Sequence, residues 1–176
     1  MASARLILIG AVALIVVLLI VAFSYWSDER VVKRRHEALV VALEKRSQKR
    51  LLRVMSENYG DRWGFSNEDA ALAMKDAGSH FLVFVVNADD PVFDFQDDRA
   101  TVTVYLRVGG KALSGIGREV MSRANKMKTP WIFTWEKEGF GPGSWRLVSM
   151  ENESIPDDAY GYKPGDLQRA LRGEGF

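Results

Sequence analysis

Arg99-Ala100-Thr101-Val102-Thr103-Val104-Tyr105-Leu106-Arg107-Val108 is the clearest alternation in the chain. Ala100, Val102, Val104, Leu106 and Val108 fall on one face, and Thr101, Thr103, Tyr105 and Arg107 on the other. A period of two with β-branched residues on both sides specifies a strand with one buried face. Upstream, Val92, Phe93 and Phe95 form a short strand, and Gln96-Asp97-Asp98 is the turn that makes the two a hairpin. Phe81 to Val86 is a further apolar run. Downstream, residues 109–115 contain three glycines and read as a loop, and Ile116 to Met127 reads as a helix that ends before Thr129-Pro130. Trp131 to Glu136 and Trp145 to Glu151 are two more strands, joined by the Gly-Pro-rich turn from Gly139 to Gly143.

The half before this strand set is helical. From Ser27 no Gly or Pro occurs until Gly60, and Asp28 and Glu29 sit where a helix N-terminus favours negative charge. Tyr59-Gly60-Asp61-Arg62-Trp63-Gly64 breaks that helix. A second begins at Ser66, whose hydroxyl can cap it with Asp69 at the third position, and Gly78 stops it. Helices followed by strands predict an α+β fold with one curved antiparallel sheet packed on helices.

The composition is that of a folded protein, with 47% hydrophobic and 27% charged residues. Cys is absent, which excludes disulfides, thiolate catalysis and cysteine metal sites. The formal charge of +1 is unevenly spread. Residues 30–53 hold nine Lys or Arg against Glu37 and Glu44, a net +7, whereas residues 54–176 carry a net −5. Glu44 to Arg50 has no apolar side chain, so residues 27–50 read as a basic helical stalk, with Leu51, Leu52 and Met55 packing on the domain.

Leu6 to Phe23 contains no charge. Its length corresponds to roughly 27 Å of helix, near the ~30 Å of a bilayer core. Tyr25 and Trp26 follow, at the level where aromatic side chains favour the interface. The expected organisation is a transmembrane anchor over 1–26, the stalk over 27–50, a globular domain over 51–153 and a tail over 154–176 with a helical stretch at 166–171. The protein is then a single-pass protein of the cell (inner) membrane, its partners the lipid bilayer and a protein partner or second copy. Arg30, Lys33, Arg34 and Arg35 are candidates to face lipid head groups. They bias the domain towards the cytoplasm by the positive-inside rule. No aromatic interleaving accompanies the charges, so nucleic acid is not expected as a partner.

The order of helix, helix and strand set, with Asp98 to Val104 and the final pair Phe133-Thr134-Trp135-Glu136-Lys137 and Trp145-Arg146-Leu147-Val148-Ser149, resembles the nuclear-transport-factor-2-like (cystatin-like cone) superfamily. The Tyr59 to Gly64 turn is similar to one in uncharacterised bacterial members, many of which carry a signal or anchor sequence. The resemblance covers roughly residues 45–153. It implies helices on a bent sheet, often with a conical cavity and dimerisation, and it places the domain outside the cytoplasm, against the charge bias. It implies no one activity.

No catalytic residue, metal site or cofactor is read from the sequence. His36 reads as a stalk residue and His80 precedes the first strand, with no ligand spacing around either. Ketosteroid isomerase-like members of the resembled fold use an acid facing the cavity with a tyrosine as oxyanion donor. Asp94, Glu136 and Tyr105 are the matching residue types here. Trp131, Phe133 and Trp135 share one face of a strand, with Trp145 on the next. Such a stripe is core, cavity wall or dimer surface. The leading expectation is a noncatalytic assembly module. The second is a tethered domain for a small apolar ligand held at Trp135, and the third an isomerase-like enzyme.

Overall fold

The computed structural model describes residues 12–18, 27–141, 143–155, 163 and 166. Among the described residues from Asp28 on, ten elements follow in order: α1 (Asp28–Glu44), α2 (Gln48–Val54), α3 (Asn67–Ser79), β1 (Phe81–Ala88), β2 (Val92–Gln96), β3 (Arg99–Val104), β4 (Leu106–Ala112), α4 (Gly115–Lys126), β5 (Trp131–Lys137) and β6 (Trp145–Glu151). They build an α+β fold with antiparallel sheets packed on helices. Four strands pair in the order β2-β3-β5-β6, and β1 pairs with β4 in a separate two-stranded ribbon.

The long alternating stretch is two strands. Val104 ends β3, and Tyr105 directs its carbonyl to the Asp89 amide at 3.0 Å. From Leu106 the chain pairs with β1. Of the three glycines expected to form a loop, Gly109 and Gly110 lie inside β4 and Gly115 begins α4. Gly110 has φ 119°, and a Cβ there would stand 2.0 Å from the Val83 carbonyl oxygen, so only glycine lets the strands approach so closely. The single curved sheet of the sequence reading is therefore divided where the chain leaves β3.

The expected unbroken helix is also two helices. Its apolar-free stretch contains the turn between α1 and α2, at Lys45 to Ser47, and Arg46 adopts φ 51° there. The Arg46 guanidinium donates to the Phe81 carbonyl at 2.6 Å. A Cβ at Gly78 would meet the Arg46 side chain at 2.6 Å, so that glycine leaves room for it.

The basic stalk is not a stalk. Val31, Val32, His36, Leu39 and Ala42 of α1 are buried and pack with Ala100, Val102, Val104, Phe133, Trp135, Trp145 and Leu147 of the four-stranded sheet. The helix is locked at its start. Asp28 accepts from Trp145 Nε1 at 2.8 Å and from Lys137 Nζ at 2.9 Å. Burial pushes the Asp28 carboxyl up, and these two donors pull it further down, leaving it below the usual carboxylate range. The capping box at Ser66 and Asp69 is present as expected.

Among the described residues no helix is long and apolar enough to cross a membrane. Most of Leu6–Phe23 lies outside them; residues 12–18 are helical, with the side chains of Val12 and of Leu14 to Leu18 exposed. The helical stretch expected over 166–171 also lies outside the described residues, save Asp166.

Candidate apolar binding site

A cavity of about 650 Å³ opens between α3, α4 and the start of β5. Its walls are apolar almost throughout: Trp63, Phe65, Met74, Ile116, Val120, Met127, Trp131 and Met150 surround it, with Ile155 beside them. Ala70, Ala73 and Ala77 line the α3 side. These positions recur on one helical face, and their small side chains leave the space that larger residues would fill.

The turn Tyr59 to Gly64 sets the aromatic wall. Asp61 Oδ1 accepts from the Trp63 amide at 2.9 Å and from the Phe65 amide at 3.1 Å, and Oδ2 accepts from the Tyr59 hydroxyl at 3.0 Å. Trp63 and Phe65 are thereby stacked, with ring centroids 6.2 Å apart. Burial, with the Asp61 carboxylate next, drives the Tyr59 phenol far above its ordinary range. The Asp61 carboxylate is occupied in holding the wall.

Helix α4 supplies the opposite side. Gly117 is its only buried residue, and the apolar Ile116, Val120 and Ala124 face the cavity instead of a protein core. The helix is fastened to β4 by polar bonds at one end and close approach at the other. Asn125 Oδ1 accepts from the Val108 amide and Asn125 Nδ2 donates to the Val108 carbonyl, both at 2.8 Å. Ser114 caps the N-terminus by accepting from the Gly117 amide at 3.2 Å. A Cβ on Gly117 would lie 2.5 Å from the His80 carbonyl oxygen. At the cavity rim Glu119 and Arg123 form an exposed ion pair at 2.8 Å, and the Arg123 hydrogen bond holds the Glu119 carboxyl below its usual range.

The aromatic stripe divides. Trp131 reaches the cavity. Phe133 and Trp135 are fully buried and enclose His36, with centroids 5.0 and 6.3 Å from its ring. Phe93 closes the same cage at 6.1 Å. Trp145 is buried beside Phe95 and bonds Asp28. Trp135 is therefore a core residue and not a cavity wall. His36, read from the sequence as a stalk residue, is at the centre of the core.

The other candidates lie elsewhere. Asp94 is exposed and accepts from Gln96 Nε2 at 3.2 Å. Tyr105 is exposed. Glu136 faces Arg99 at 3.7 Å on the surface. None of the three lines the cavity. Of the basic set, Arg30 is exposed and Arg34 half-buried. Lys33 pairs with Glu29 at 2.7 Å and lies over the Phe93 ring, while Arg35 donates to the carbonyls of Gly143 and Arg53 at 3.0 and 3.3 Å. The sequence reading missed Trp63, Phe65, Met74, Val120 and Met127 as cavity residues. One signal was there: Ile116 to Met127 is strongly amphipathic.

This arrangement is similar to the cystatin-like fold. Solved structures similar to the chain include a protein of unknown function with a cystatin-like fold from Nostoc punctiforme, at 15% identity and a TM-score of 0.52, over 74% of this chain and 92% of that one. Hexachlorocyclohexane dehydrochlorinase LinA-type3 from Novosphingobium barchaimii matches at 12% identity and a TM-score of 0.53, over 69% and 82% of the two chains. The Kfla4162 protein from Kribbella flavida matches at 13% and 0.53, over 71% and 88%. At these identities the likeness is one of fold, and the fold includes an enzyme. No family model matches the chain, and no curated protein matches it by sequence.

Proposed function

We propose that this chain is a membrane-tethered domain that binds a small apolar molecule between α3 and α4. The observation that carries it is the cavity itself. Its volume of about 650 Å³ lies within the range of small-molecule sites, and among the described residues no protein surface covers the apolar face of α4. The two carboxylates at the cavity are already engaged, Asp61 with the turn and Glu119 with Arg123. That supports holding a ligand over performing acid–base chemistry on it. The tether is the uncharged stretch Leu6–Phe23.

A neutral naphthylamine dye, added to residues 27–176 in detergent-free buffer, tests the reading. Saturable binding is expected, with energy transfer from Trp63 and Trp131. Ala73→Trp, which fills the cavity from α3, weakens the dye at least about tenfold with unchanged circular dichroism. Absence of saturable binding, or equal binding by the filled variant, removes the proposal.

An assembly role is favoured by a separate observation. Leu82 and Val83 are exposed on β1, which pairs on one side alone among the described strands. A partner strand or second copy would pair there.

A further inference from the structure

The turn between β5 and β6 carries Phe140, whose side chain is fully exposed, at 108% of its reference area. A single exposed aromatic is ordinary by itself. The position of this one is not. Lys137 and Trp145, the residues flanking the turn, both donate to Asp28, the first residue of α1. The turn therefore projects from the end of the domain at which α1 begins. It is braced there: the Gly143 carbonyl accepts from Arg35 and Arg146, and the Gly141 carbonyl accepts from the Ser144 hydroxyl at 2.7 Å.

Immediately before Ser27 and Asp28 the sequence holds Tyr25, Trp26 and the uncharged stretch Leu6–Phe23. A bilayer that holds this stretch lies against the same end of the domain as the β5–β6 turn. We propose that Phe140 is a second membrane contact, its ring entering the bilayer interface beside the N-terminal span and fixing how the domain stands on the membrane. The proposal rests on the tether reading and is independent of the cavity.

The charges at this end favour the apolar part of the interface over anionic head groups. Lys137 is paired with Asp28, and Arg30 and Arg146 stand against Asp97 and Asp98, which are brought near by the bond from the Lys137 amide to the Asp98 carbonyl at 2.9 Å. Lys33 is paired with Glu29, and Glu138 accepts from the Ser56 hydroxyl. With both signs present, the contact depends weakly on salt and lipid charge. Phe, with Trp and Leu, is the residue type that surface-bound segments bury at the boundary of head groups and acyl chains.

The absence of cysteine makes Phe140→Cys a unique labelling site. The full chain is reconstituted in phosphatidylcholine vesicles with a nitrobenzoxadiazole label at residue 140. Comparison labels are placed by Asp98→Cys, at the same end but on the shorter turn, and by Lys126→Cys at the end of α4. The expected result is blue-shifted, several-fold brighter emission at 140, quenched by brominated lipid and unchanged by added salt, with water-like emission at 126 and at most a weak response at 98. Vesicle flotation and resistance to alkaline extraction report the tether separately. Floating protein whose label at 140 stays in water, or responds no more than the label at 98, overturns the second contact and leaves the tether standing. Protein that does not float overturns both.

Discussion

His36 is a polar side chain buried in the apolar core. Neither ring nitrogen has a hydrogen-bond partner among the described residues, and burial among Phe93, Phe133 and Trp135 pulls its pKa down to about 4. The unfolded chain holds the same group near 6.5. The folded state therefore disfavours the proton. The contribution of neutral His36 is complete above pH ~6.5 and is lost as pH falls towards the folded value. The loss amounts to about 3 kcal/mol, since each unit is ~1.4 kcal/mol. His36→Leu removes this dependence while keeping an apolar group of similar volume. Urea titrations at pH 7, 5 and 4 should show the variant at least as stable as the parent at neutral pH and progressively more so in acid. Parallel decline of the two proteins would mean that His36 ionises without penalty. The sequence could not supply this role. A histidine among Arg34, Arg35 and Glu37 looks like one more polar residue of a solvated helix, and only the folded sheet reveals which face it is on.

At the scale of elements, legibility followed the strength of the local pattern. The Ser66–Asp69 capping box, the helix after Ser114 and the strands beginning at Trp131 and Trp145 were all readable, because propensity, cap and periodicity agreed there. The failures came where two signals shared one appearance. Gly109 and Gly110 signal a loop, yet a glycine also permits close strand approach, and tertiary contact with β1 decided the matter. An apolar-free stretch signals a solvated face, yet it equally describes the turn at Lys45 to Ser47. The cavity was illegible for a related reason: the alternation of small and large side chains on α3 and α4 acquires meaning only when the two helices face each other. Helix α4 gives the test at this scale. Gly117→Ala improves intrinsic helix propensity by up to ~1 kcal/mol, but its methyl group collides with the His80 backbone. Overpacking of this kind typically costs about 1–3 kcal/mol, so a net loss of stability is expected in denaturant titration. Gly115→Ala, which meets nothing nearer than Arg118 at 3.8 Å, should be neutral or stabilising. A stabilised Gly117→Ala variant would show that α4 is free to move off β4.

For the molecule as a whole, the division of charge acquires a different meaning. The +7 segment is not a post holding an acidic domain away from a surface; it contains the helix on which the sheet is built. Arg35 of α1 and Arg46 of the turn after it tie this segment to Gly143 and Phe81. Its apolar side chains cover Phe133, Trp135 and Trp145. A free stalk and a structural helix predict opposite results on truncation. If residues 27–50 were a spacer, a chain beginning at Gln48 would fold. In the structure, that truncation removes the buried Val31, Val32, Leu39 and Ala42 together with the Asp28 partner of Trp145. Burying three branched aliphatic side chains alone contributes on the order of 6 kcal/mol, comparable with the whole stability of an ordinary domain, about 5–15 kcal/mol. A chain beginning at Ser27 should therefore show near-ultraviolet circular dichroism from its buried tryptophans and a single cooperative unfolding transition. One beginning at Gln48 should show neither, and should bind hydrophobic dye over its exposed sheet. A cooperative transition in the shorter chain would restore the stalk and detach α1 from the domain.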